Sequence, residues 1–454
     1  MRKKVLVIGW DCATPELLFN KFHLPNFRKL LKNSIYSPME SCDPPITIPA
    51  WMVMATSVNP GRHGIYGFRH RKKNSYNDIW IADATKFKKY PKVWDILARH
   101  GKKSCIIGLP PSYPPLPIKG WLISCFITPD KNKPFTYPPE FRKEIEKVIG
   151  EYIFDVEFRT DKKGELLENL LEMTKRRHEL IKYLIQNKNW DLFWFVEIGL
   201  DRVQHAFWRY FDKNHHLYEE NSPYKNVIKK YYEMLDKNLG EYLKLVDDAT
   251  IFIVSDHGAK RMKGAFCINE WLIENKWLFL KEKPKEIISI DKANIDWNRT
   301  IAWGWGGYYA RIFLNVKGRE KYGIVGKEEY EEIRKELAEE ISKVEDNKGN
   351  RMDNKVFLPE KLYPECKGQP PDLMVYFDDL YWRSAGTIGH NRIHLERNDT
   401  GPDDAVHSKY GIFLKYPVEK ERKLNKVSIY DFAPTLLNEF GIKIPLHMEG
   451  KVIE

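Results

Sequence analysis

Three segments of this chain each end an apolar run near a carboxylate, and two of them add an imidazole. Phe252-Ile253-Val254-Ser255-Asp256-His257-Gly258 is a β-branched run that reads as a buried strand. It delivers Asp256 and His257 side by side, and the following glycine lets the backbone turn away. Lys4-Val5-Leu6-Val7-Ile8-Gly9-Trp10-Asp11 repeats the pattern with Asp11. The stretch 190–205 reads as a strand from about 191 to 196, followed by Asp201 and His205; four residues apart, they share one face if the segment turns helical. Carboxylates and imidazoles do not sit unpaired in a core, so they are expected either as hydrogen-bonded couples or as metal ligands. For Asp201 and His205 taken alone, an N-cap with a solvent-facing histidine is an equally fair role.

A fourth segment supplies a hydroxyl. Residues 44–57, Pro-Pro-Ile-Thr-Ile-Pro-Ala-Trp-Met-Val-Met-Ala-Thr-Ser, read as a loop entering a helix, with Pro49 in the first turn and Thr47 just ahead of it. Threonine there is ordinarily an N-cap. The same hydroxyl beside a helix N-terminus, where N–H groups attract phosphate, is also a candidate nucleophile, given a Zn²⁺-type cation to lower its pKa.

The elements that must position these groups alternate. Strand patterns fall near 4–10, 103–108, 121–126, 191–197, 250–255, 373–377 and 410–414. Helical patterns fall near 24–33, 91–100, 137–149, 164–187, 224–246, 326–343 and 428–440. That order predicts an α/β fold, a largely parallel sheet with helices on both faces. Residues 281–370 break the rhythm with the aromatic run Trp303-Gly304-Trp305-Gly306-Gly307-Tyr308-Tyr309 and a charged helix. They are expected to form an inserted cap or side subdomain, with 1–280 and 371–454 as the catalytic core. A Pro/Tyr-rich excursion occupies 109–117.

Composition narrows the function classes. A chain of 454 residues with 14 Trp, 24 Tyr and 23 Phe can bury a large core and is too aromatic to be disordered. No run approaches the ~18 apolar residues of a membrane span; the most apolar stretch, 46–58, is short and broken by Pro49. The basic start Met1-Arg2-Lys3-Lys4 precedes an apolar run too short for an export signal. The six cysteines show no C-x-x-C spacing, which favours a reduced, cytoplasmic protein over a disulfide framework or a cysteine zinc site. Net charge +11 suits an anionic substrate, although the Lys/Glu alternation of 327–335 is that of a solvated helix face. No nucleic-acid motif is present, and the oligomeric state is not legible.

Assembled, Asp11, Thr47, Asp201/His205 and Asp256/His257 resemble the alkaline phosphatase superfamily, in its type I phosphodiesterase/nucleotide pyrophosphatase branch. The Thr-x-Pro segment is followed by Asn59-Pro60-Gly61-Arg62-His63-Gly64-Ile65, similar to the family's Pro-x-x-His-Gly-Ile turn. The likeness runs from Asp11 into the C-terminal region and implies an alkaline-phosphatase-like three-layer sandwich. The family also supplies a final histidine. His407, just before the strand at 410–414, is favoured over His390 and His394 of Gly-His-Asn-Arg-Ile-His.

The resemblance implies two divalent metal sites, one from Asp201, His205 and His407, the other from Asp11, Asp256 and His257 with the Thr47 oxygen. The mixed ligands suit Zn²⁺ first, with Mn²⁺ or Fe²⁺ as alternatives. It further implies that Thr47 attacks phosphorus and forms a phosphorylated threonine that water then hydrolyses, with net retention. Where nucleotide pyrophosphatases carry a phosphoryl-binding Asn, this chain has Phe68, with Arg69 or Arg71 as substitutes; Trp51 and the aromatic residues Trp303, Trp305, Tyr308 and Tyr309 are further expected substrate contacts. A sulfatase is excluded because Cys42-Asp43-Pro44-Pro45-Ile46 lacks the Arg of C-x-P-x-R. A phosphoglycerate mutase would need a serine nucleophile in a different setting. The expected function is therefore a metal-dependent phosphodiesterase or nucleotide pyrophosphatase acting on a small phosphorylated substrate. The alternatives are a phosphomonoesterase of the same superfamily and a non-catalytic binding protein that keeps the fold.

Overall fold

The computed structural model describes residues 3–73 and 75–454, so the Met1-Arg2 part of the basic start lies outside the described residues. Its centre is a ten-stranded sheet: β1 (Lys4–Trp10), β2 (Ile35–Glu40), β3 (Ser104–Ile107), β4 (Gly120–Ile123), β5 (Thr136–Tyr137), β6 (Leu192–Glu197), β7 (Ala249–Val254), β8 (Tyr410–Tyr416), β9 (Arg422–Lys423) and β10 (Val427–Ser428). In space the order is β9-β2-β8-β7-β1-β6-β3-β4-β5, with β10 on the same edge of β2 as β9. From β7 to β4 every pairing is parallel, while β8 runs antiparallel to both β7 and β2.

Side-chain alternation explains the layers. Leu6, Ile8, Phe193, Phe195, Ile251 and Ile253 face a core covered by the helices Pro25–Leu31, Lys163–Asn187, Gly199–Phe211 and Val227–Leu243. Their neighbours Val5, Val7, Leu192, Trp194, Phe252 and Val254 face the opposite core, under the helices Thr47–Thr56, Val93–Arg99 and Phe432–Glu439. A strand buried on both faces must be apolar at every position, which is why β1, β6 and β7 read as continuous hydrophobic runs.

The strand β2 is not among the expected ones, since Pro38 demotes Ile35-Tyr36-Ser37-Pro38-Met39-Glu40. The sheet accommodates it because β9 pairs with Ile35 and Tyr36 and β10 with Met39 and Glu40, so Pro38 sits opposite the gap between them. The strand expected at 373–377 forms as Leu373–Tyr376 but does not join the central sheet. It pairs antiparallel with Ala310–Leu314 and Lys355–Phe357 in a second, four-stranded sheet completed by Ala302–Trp305. That sheet has its own core, including Phe266, Trp271, Trp303, Leu337 and Trp382, which draws on residues to either side of 281–370. No helix among the described residues is long and apolar enough to cross a membrane.

Candidate active site

The site is built where three neighbouring strands end level. Val254, Gly9 and Val196 lie side by side in the register of β7, β1 and β6, so the chain leaves all three strands at the same sheet edge. Asp11 comes directly after β1, Asp256 and His257 come after β7, and Asp201 and His205 stand one turn apart on the helix Gly199–Phe211 beyond β6. The carboxyl ends of parallel strands are where open α/β sheets bind ligands. A two-stranded antiparallel ribbon of Gly258–Arg261 with Ala405–Ser408 then sets His407 opposite Ala259. His407 thereby stacks on His257, their ring centroids 3.8 Å apart.

Thr47 reaches this cluster from the other side. The helix begins at Thr47 itself with Ile46 in the cap position, and no side chain caps it. The ordinary N-cap role for Thr47 is therefore not the one it plays. Its Oγ1 lies 3.2 Å from His257 Nε2, and the residue is buried.

Each imidazole is oriented by its other nitrogen. His205 Nδ1 donates to Asp403 at 2.7 Å, His407 Nδ1 to the Pro45 carbonyl at 2.7 Å, and His257 Nδ1 to the Gly258 carbonyl at 3.2 Å. These partners only accept, so Nδ1 carries the hydrogen and all three Nε2 atoms turn toward the carboxylates. His205 Nε2 is 3.2 Å from Asp201 Oδ1, His257 Nε2 is 3.2 Å from Asp256 Oδ2 and 3.8 Å from Asp11 Oδ1, and His407 Nε2 is 3.9 Å from Asp201 Oδ1.

The same three carboxylate oxygens, Asp11 Oδ1, Asp201 Oδ1 and Asp256 Oδ2, are buried and have no hydrogen-bond donor among the described residues. Burial, together with the Asp201 charge, pushes the Asp11 carboxyl well above its usual range; burial and Asp11 do the same to Asp256. At Asp201 burial acts upward too, but His205 and Arg202 beside it outweigh that and hold it well down. Burial would lower His205, yet Tyr308, Asp403 and Asp201 around it raise it strongly. Burial lowers His257 to about 4 and, helped by the neighbouring His257, takes His407 well down, so both rings are neutral and present lone pairs.

Unpartnered carboxylate oxygens and imidazole lone pairs converging in a dry pocket are the donor set of a divalent cation, which removes the cost of burying them. Among the described residues, three such groups have their ligand atoms within 4.8 Å of one another: Asp11, Asp256 and His257; Asp201, His257 and His407; and Cys12, Asp201 and His205. The residues present fit metal binding.

Of the other expected residues, some reach the site and some do not. His390 bonds Thr387, and His394 bonds the Glu345 carbonyl, so neither joins the cluster. Trp51, expected at the substrate, is fully buried, and its Nε1–H donates to Asp11 Oδ2 at 2.7 Å; it positions a carboxylate instead. Arg71 is not free to act as a phosphoryl partner, being buried in an ion pair with Glu320 at 2.7 Å between the faces of Trp303 and Phe313. Arg69 is exposed and its carbonyl accepts from Arg311, while Phe68 is half-buried against Phe126. Trp303 and Tyr309 belong to buried cores and Trp305 packs edge-on against Phe313 of the second core, leaving Tyr308 as the aromatic side chain of that run that enters the site. It stacks on His407 at 3.7 Å, with its hydroxyl 3.4 Å from His205 Nε2.

Sequence reasoning misses Asp403. It takes the His205 hydrogen and ion-pairs with Arg383 at 2.7 Å and Arg159 at 3.2 Å. Its signal is the acidic pair Asp403-Asp404, four and three residues ahead of His407.

A model of the family described as type I phosphodiesterase / nucleotide pyrophosphatase matches residues 5–403. No curated protein sequence matches the chain. Among solved structures, murine ectonucleotide pyrophosphatase/phosphodiesterase 5, inactive and in complex with AMP, aligns with a TM-score of 0.59 at 14% identity, over 98% of this chain and 96% of that one. The human ectonucleotide pyrophosphatase/phosphodiesterase 5 gives a TM-score of 0.59 and 14% identity over 99% and 97%. The likeness at that identity is one of fold, an alkaline-phosphatase-like α/β sandwich.

Proposed function

Because the chain belongs to the type I phosphodiesterase/nucleotide pyrophosphatase family and is thereby a phosphoric ester hydrolase, we propose that it cleaves a phosphodiester or pyrophosphate by attack of the Thr47 hydroxyl on phosphorus. The observation that carries this reading is the buried Thr47 Oγ1, 3.2 Å from His257 Nε2 and beside carboxylate oxygens that lack donors. Two divalent cations would be held by Asp11, Asp256, His257 and Thr47, and by Asp201, His205 and His407, with Zn²⁺ as the first candidate. Such ions lower the pKa of a bound hydroxyl or water and neutralise charge gathering on phosphoryl oxygens.

The chain's own residues do the rest. Thr47, fixed at the first position of its helix, gives up its hydroxyl proton to solvent and forms the new P–O bond as the bond to the leaving oxygen breaks; the electron pair departs with that oxygen, which takes up a proton from solvent. Backbone N–H groups of the helix's first turn favour the anionic phosphoryl group. Water then attacks the phosphothreonine, releasing phosphate or a monoester and restoring Thr47. Asp403 holds His205 in one tautomer throughout, and Trp51 holds Asp11.

A nucleotide ester or similarly bulky diester is the favoured substrate. The murine neighbour was solved with AMP, and in this chain the half-buried Phe68 and Tyr308 offer apolar surface for a second substituent. A panel of matched nitrophenyl mono- and diesters, assayed with Zn²⁺ and with Mn²⁺, tests this. Higher kcat/KM for the diester is expected. A clear preference for the monoester would overturn the diesterase reading in favour of a phosphomonoesterase.

A further inference from the structure

Directly after Asp11 the chain makes a turn that a cysteine rarely makes. Cys12 has φ of +65°, in the left-handed region that glycine enters freely and side-chain residues seldom do. The turn is pinned at both ends of the residue. Its N–H donates to Asp256 Oδ1 at 3.3 Å, and its carbonyl accepts from Gln204 Nε2 at 2.7 Å. Glycine would satisfy both bonds without strain, so the backbone does not call for a cysteine. The side chain does have a destination: Cys12 Sγ, Asp201 and His205 form one of the three converging ligand groups, and Cys12 is the one cysteine in such a group among the described residues. Asp201 Oδ1, in a side chain 2% exposed, has no donor among the described residues, and Asp403 turns His205 Nε2 to the same point.

From this juxtaposition we propose that Cys12 Sγ is a further ligand of the cation assigned above to Asp201, His205 and His407, adding a sulfur donor beside the Asp201 carboxylate and the His205 imidazole. The inference rests on the metal-binding reading above and deepens it. On binding, the S–H proton is released to solvent and the sulfur's electron pair forms the bond to the cation. A thiolate selects Zn²⁺, Co²⁺ or Fe²⁺ over the hard cations Mg²⁺ and Ca²⁺, so the two metal positions would differ in preference, the other being built of oxygen and imidazole alone.

Cobalt loading tests this without reference to turnover. The full chain, reconstituted with Co²⁺, should show a thiolate-to-cobalt charge-transfer band in the near ultraviolet. The band should be lost in Cys12→Ser, which keeps the side chain's size, and in Cys12→Gly, which relieves the left-handed backbone. In both variants one of the two cobalt ions should bind more weakly by at least about 100-fold, beyond what loss of an outer partner typically costs. Both variants should unfold cooperatively, and Cys366→Ser should leave the band untouched. Cobalt bound without the band, a band that survives Cys12→Gly, or no cobalt bound at all would overturn the proposal. The first two outcomes leave the Thr47 reading standing, and a band in a protein without diesterase activity would sink that reading alone.

Discussion

Replacing Trp51 by phenylalanine separates positioning from substrate binding. The indole N–H is 2.7 Å from Asp11 Oδ2, and both residues are 0% exposed. A hydrogen bond to a charged group contributes about 1.5–3 kcal/mol. The smaller ring also leaves a cavity of roughly 40 Å³, costing about 1 kcal/mol. The neighbours cannot collapse into it easily. Gly9 is bare because a Cβ there would stand 2.7 Å from the Trp51 ring, and Trp194 abuts the indole at 6.2 Å between centroids. Trp51→Phe is therefore expected to lose roughly 2.5–4 kcal/mol of stability in denaturant unfolding. With Asp11 freed, kcat/KM should fall by about 10–100-fold, together with weaker binding of the ion on the Asp11 side. Unfolding curves, metal content after dialysis, and kcat and KM on one diester read the three effects. If Trp51 were a substrate platform, phenylalanine would keep most of the stacking and raise KM alone. Unchanged stability and metal content with a raised KM would show that Trp51 serves the substrate and not Asp11.

Two further substitutions probe the histidines. Asp403→Asn keeps the shape but removes the charge that orients His205 and pairs with Arg383; turnover and affinity for one ion should drop about 10–100-fold by titration and kinetics, and wild-type values for both would show that the pair is only structural. His407→Ala should cost one ion per chain by elemental analysis and most of the activity, whereas His394→Ala, whose ring bonds a distant carbonyl, should keep both; the reverse pattern would move the site.

The parts of the site legible in the sequence are those tied to strand ends. Asp11, Asp256 and His257 each come after a strand buried along its apolar run, and Asp201 and His205 carry helical spacing straight after another. The side chains that serve these groups are hidden because they depend on contacts across the chain. Trp51 meets Asp11 from 40 positions away, and Asp403 meets His205 from 198. Nothing local distinguishes a tryptophan that holds a carboxylate from one that holds a substrate; burial decides it. Arg71 misleads for the same reason, since its partner Glu320 lies in the aromatic-rich segment 249 residues on. In the fold, Leu373–Tyr376 reads as one more apolar strand, and only its antiparallel partners assign it to the second sheet. Pro38 hides β2 in the sequence, because the gap between β9 and β10 that accepts it exists only in the folded sheet.

Turnover by Thr47→Ala under full metal load reads out the proposed nucleophile in one experiment. Thr47 caps no helix and, among the described residues, its hydroxyl bonds His257 alone, so losing that bond and one buried methyl should cost about 1–2 kcal/mol of stability. With Thr47 as nucleophile, kcat on a diester should fall by at least about 1,000-fold, with fold and metal content retained. Turnover near the wild-type rate, with contaminating activity excluded, would contradict it.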